Sequence, residues 1–161
     1  MKELDSYLND HLAGSVSALE LLEHWVGVHD GKPIGNFFRD IKAEVRQDQE
    51  KLREIMRSLR IEESNVRQAG AWAAEKVGRL RFVIAGDDTG GLGLVLTFES
   101  LIMGITGKKL MWRAVAATNL PQLNGYDFEQ LQRRAEQQIE RLEAERTGAV
   151  AEAFARTNTS R

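Results

Sequence analysis

The stretch GLGLVLTFESLIMGITGKK, Gly91 to Lys109, is apolar almost throughout and carries one carboxylate, Glu99, near its middle. Its apolar residues recur at spacings of three and four, the period of a helix. A membrane span is not expected, because the stretch is short for a bilayer and holds a central charge. On a wheel of about 100° per residue, Leu92, Val95, Leu96, Glu99, Ile102, Met103, Thr106, Leu110 and Ala114 share one face. Glu99 is therefore expected to point into a protein interior. A carboxylate buried there must be paired, bound to a metal or neutralised by a raised pKa. The same helix has a second apolar face, Leu94, Phe98, Leu101, Ile105 and Trp112, which needs cover from a connector or a dimer partner.

Helical periodicity continues on both sides of this stretch. The two prolines, Pro33 and Pro121, lie in breaker clusters, HDGKPIGN and TNLPQLNGYD. Helices are expected over about Leu4–Val28, Gly35–Leu59, Leu92–Ala117 and Asp127–Ala155, the last opened by an Asp cap. The first presents Leu8, His11, Ser15, Leu22 and Trp25 inward, the second Phe38, Ile41, Val45, Asp48, Leu52 and Ile55, and the fourth Leu131, Ala135, Ile139, Leu142 and Ala149. Short turns make helices one and two antiparallel neighbours, and likewise three and four. Between the two hairpins lies a crossover of about residues 61–91, with a short helix expected over about Asn65–Phe82 and a glycine-rich loop, AGDDTGG. That loop lacks the ligand alternation of a calcium site and the Lys of a phosphate loop. The end, about residues 156–161, reads as a frayed tail.

The 161 residues suffice for a single domain, with 29% charged and 42% hydrophobic, an ordinary globular composition. A formal net charge of −2 gives no electrostatic footprint for nucleic acid or an anionic membrane. No cysteine is present, which excludes disulfides, thiolate metal sites and Cys nucleophiles. The beginning, MKELDSYLNDHL, has no signal-peptide pattern, and a cytoplasmic setting is the expectation. No nucleophile elbow G-x-S-x-G occurs.

All-α, with two antiparallel helical hairpins joined by one long crossover, the layout resembles the ferritin-like superfamily of four-helix bundles, and the Glu within LTFESLIMGITGKK resembles that family's third-helix ligand. The resemblance implies a di-iron or di-manganese centre built from carboxylates and Glu-x-x-His pairs. This chain departs from it. No Glu-x-x-His occurs, and the second helix offers EVRQDQE instead, with Glu44 and Asp48 four apart. If helices two and three run parallel, Glu44 and Asp48 fall within about two turns of Glu99, roughly 10 Å.

Two readings of Glu99 follow. One is a reduced iron or manganese site of Glu99, Glu44 and Asp48 with Glu145 or His11. The other is a buried polar network without metal, in which Glu99 and Asp48 meet Gln138, Arg113, Arg146 or His11; a histidine on an apolar face is more often a hydrogen-bonded core residue than a ligand. The second is favoured, because no complete ligand motif is present. The corresponding functions are a non-catalytic bundle acting through self-association or partner binding, and a metal-dependent redox or metal-handling protein. A homodimer is expected from the two apolar faces of helix three. The sequence names no reaction and no substrate.

Overall fold

Pro33 has no amide hydrogen to lose at the first position of a helix, and its fixed φ suits that position. It opens the second helix after a turn in which Gly31 takes φ 73°, a conformation glycine adopts without strain. In the computed structural model, which describes residues 2–64 and 91–155, four long helices form: α1 (Lys2–Val28), α2 (Pro33–Ser58), α3 (Leu92–Ala117) and α4 (Phe128–Ala155). A short 3-10 turn, Pro121–Leu123, joins α3 to α4. The described residues contain no strand, and none of their helices is long and apolar enough to cross a membrane. The expected helix over about Asn65–Phe82 and the expected tail lie outside the described residues.

The helix ends follow local chemistry. Asp127 caps α4, accepting the Gln130 amide at 2.8 Å. α2 closes with Ile61 N donating to Met56 O at 2.9 Å, and Arg60 takes φ 56° in the left-handed region usual beyond a helix C-terminus.

α1 pairs with α2, α3 pairs with α4, and α1 also packs along α3. At one end Leu22, Trp25, Phe38 and Ile41 meet Val95, Phe98 and Leu101, with Leu142 and Ala149 from α4. At the other, Leu8, Leu12, Leu52 and Ile55 meet Met111, Trp112 and Val115. Low numbers of α2 thus match low numbers of α3, and the two run in the same direction. Phe38 stacks on Phe98 across the bundle, ring centroids 5.3 Å apart.

α3 is rotated from its expected orientation. Phe98, Trp112 and Val115 are fully buried and Leu101 and Ile105 nearly so, whereas Met103 is 68% exposed. The core face is the one taken from the sequence as the second face. Burying a large apolar side chain stabilises by about 1.5–3 kcal/mol. Turning the helix to bury Glu99 would expose several of these and desolvate a carboxylate as well. Both terms favour the observed rotation.

The α1–α2 turn is set by close approach. A Cβ on Gly35 would lie 2.1 Å from His29 O, too close for any other residue without movement. His29 itself is buried, its ring stacked on Trp25 at 5.3 Å, and neither of its nitrogens has a partner among the described residues. Gly35→Ala is expected to lower stability by about 1–3 kcal/mol, read from the urea midpoint; an unchanged midpoint would show that the turn can open without loss.

His29 also sets a pH dependence. Burial, and then Lys32 nearby, push its pKa below 6.5, and burial does the same to His11, opposed by Asp10. A histidine harder to protonate in the folded chain than in the unfolded one lowers stability as pH falls. Its contribution is complete above the unfolded value of about 6.5 and declines below it. The urea midpoint should therefore drop between about pH 7.5 and 5.5, and His29→Phe, which keeps the ring stack, should shrink the drop. An equal drop in the variant would assign the dependence elsewhere.

Candidate functional site

Asp48 lies one turn beyond Glu44 on α2, at the centre of the helix's apolar face, so the packing that buries Ile41, Val45 and Leu52 buries it too. It is 3% exposed. Opposite it, Lys108 of α3 brings its ammonium to 2.5 Å from Asp48 Oδ2 and 2.6 Å from Gln138 Oε1 of α4. Gln138, fully buried, donates its amide to Asp48 Oδ2 at 3.0 Å and to Glu44 Oε2 at 3.1 Å. Arg134 Nε lies 3.2 Å from Asp48 Oδ1, and Arg141 Nη2 holds both Glu44 oxygens at 2.6 and 2.7 Å. Three helices are thereby tied through one cluster of charge-assisted hydrogen bonds.

Burial pushes the Lys108 pKa down, and the facing Asp48 opposes that shift. For Glu44, burial acts to raise the pKa, but hydrogen bonds from Arg141 and Gln138 and the charges of Arg141 and Arg134 outweigh it, holding the carboxyl below its usual range.

The structure brings together Glu44, Asp48 and Gln138, and separately brings the expected Arg146 to Glu99. Glu99 is not buried: its side chain is 45% exposed and lies 3.3 Å from Arg146. Glu145 and Arg113 are exposed and outside the cluster. His11 sits edge-on to Tyr7 at 4.7 Å, with its Cε1 3.9 Å from where a Gly107 Cβ would be. Among the described residues, no three His, Asp or Glu side chains converge as a metal-ligand set. The donor chemistry also disagrees with iron or manganese, because an ammonium already stands against Asp48 where a cation would bind. Of the residues expected at a metal centre, Glu44 and Asp48 thus lie together on Gln138, while Glu99 and Glu145 lie at the surface and His11 packs on Tyr7.

Lys108 was missed because it lies at the end of the apolar stretch beside Lys109, where it reads as part of a solvated terminus. Its place on the wheel, in line with Leu101, Ile105 and Trp112, was the available signal.

Beside the cluster, α1, α2 and α3 enclose a partly open cavity of about 520 Å³. Its walls are mostly apolar, and Asp48, Lys108, His11, Ser15 and Gln49 also line it. Gln49 Nε2 donates to Ser15 Oγ at 2.8 Å, joining two walls. Gly104 and Gly14 border the cavity with nothing within 4 Å of where a Cβ would lie. Gly104 thus leaves space between the helices.

No family model matches this chain, and no curated protein or solved structure matches it either. The described residues define the class: four long α-helices, no strand, and a buried ion cluster at the meeting point of α2, α3 and α4.

Removing one partner of a buried ion pair leaves an uncompensated charge. Lys108→Met should cost about 3–5 kcal/mol in urea unfolding, and adding Asp48→Asn should recover a large part of that loss. A single variant as stable as the parent would mean that Arg134 and Gln138 suffice for Asp48.

Proposed function

We propose that this chain is a ferritin-like bundle that acts without catalysis, through self-association, with the ion cluster as its internal frame. The ferritin-like assignment is supported by the two hairpins and by the common direction of α2 and α3. α2 ends and α3 begins at opposite ends of the bundle, the arrangement a crossover connection requires. The non-catalytic reading is supported by the state of the acids. Asp48 faces Lys108, Glu44 faces Arg141 and Glu99 faces Arg146. A general acid or base works best with a pKa near the operating pH, whereas Glu44 is held further below it. The alternative, an iron or manganese protein, would require Lys108 to leave Asp48, and no observation favours it.

The observation that carries self-association is the outward face of α3. Met103 is 68% exposed, and Leu92 and Leu110, 48% and 51% exposed, lie on the same side of the helix. Apolar side chains aligned along one helix face are suited to packing against a second copy in a two-fold contact. Light scattering at micromolar concentration should give the mass of a homodimer, and Met103→Glu should give a monomer with an unchanged melting temperature. A monomeric parent would remove this reading.

A further inference from the structure

The cavity between α1, α2 and α3 has a chemical polarity of its own. Leu21, Val45, Leu52, Leu101, Ile105 and Met111 supply apolar wall, and the volume of about 520 Å³ lies in the range of small-molecule sites. An ammonium has three donors. Lys108, which lines the cavity, uses one on Asp48 and one on Gln138, and among the described residues the third has no acceptor. Trp112, fully buried and also lining the cavity, carries an indole N–H with no partner among the described residues. A buried donor left unsatisfied is costly.

Charge points the same way. Three cations, Lys108, Arg134 and Arg141, are paired with two carboxylates, Asp48 and Glu44. Asp48 keeps Arg134 at 3.2 Å if Lys108 is shared with a further anion. Among the other polar groups of the lining, burial favours the neutral form of His11, and Asp10 is exposed, where solvent screens it. The cluster therefore presents a positive charge and a free donor to a mostly apolar space.

We propose that this cavity binds an amphiphilic monocarboxylate, its aliphatic chain among the leucine and isoleucine side chains and its carboxylate at Lys108 Nζ. Decanoate serves as the probe, with decanol and decyltrimethylammonium sharing the tail but not the negative charge. Calorimetric titration of the full chain should show one decanoate per chain, bound roughly tenfold or more tighter than either control, as a charge-assisted hydrogen bond implies. Lys108→Met should erase the preference for decanoate over decanol. Because that variant can lose its fold, Gly104→Leu provides the second arm: it fills the cavity from a position with open space around its Cβ. That variant should melt no lower than the parent and bind decanoate roughly tenfold or more weakly. Absence of decanoate binding, equal binding of the three amphiphiles, or unchanged affinity in Gly104→Leu would each overturn the proposal.

Discussion

The ammonium of Lys108 joins α2, α3 and α4 at one point, through Asp48 on one side and Gln138 on the other. Burying these ions is costly in itself, since each gives up hydration. The cost is offset only while every partner is in place, so the cluster holds the three helices in a particular register. An apolar contact tolerates sliding by a fraction of a turn; a hydrogen bond of 2.6 Å does not. The stacking of Phe38 on Phe98 and the packing of Leu52 with Met111 and Trp112 are compatible with that register on either side of the cluster.

The orientation of α3 follows from the same constraint. This helix is apolar nearly all round, so its hydrophobic pattern carries little directional information. Glu99 and Lys108 lie on opposite sides of this helix. Only one can face the core. With Lys108 inward, Asp48 gains a counter-ion and Phe98, Leu101 and Ile105 are buried; Glu99 then turns outward, where Arg146 and water satisfy it. The cation inside also changes the chemistry that the acids can offer. Glu44 and Asp48 are consumed by internal pairing, which leaves a frame and a polarised cavity instead of a ligand set.

The glycines of this bundle have distinct uses. Gly35 lets the start of α2 lie against the His29 carbonyl and so fixes the first hairpin. Gly104 and Gly14 do the reverse, leaving space between α1 and α3 where larger side chains would have filled it.

The four helices of the described residues, their ends and their pairing were legible in the sequence, because proline, glycine and an Asp cap act locally and short turns leave few choices of partner. Within each hairpin, Gln49 of α2 reaches Ser15 of α1, and Arg146 of α4 reaches Glu99 of α3. The burial of Asp48 and its contact with Gln138 could be read from the regular apolar faces of α2 and α4. The inward face of α3 could not, since a helix apolar on every side has no preferred direction until its neighbours supply one. That choice, and with it the exchange of Glu99 for Lys108 as the buried charge, belonged to tertiary structure: it depends on which opposite charge waits on another helix, a property no single segment contains.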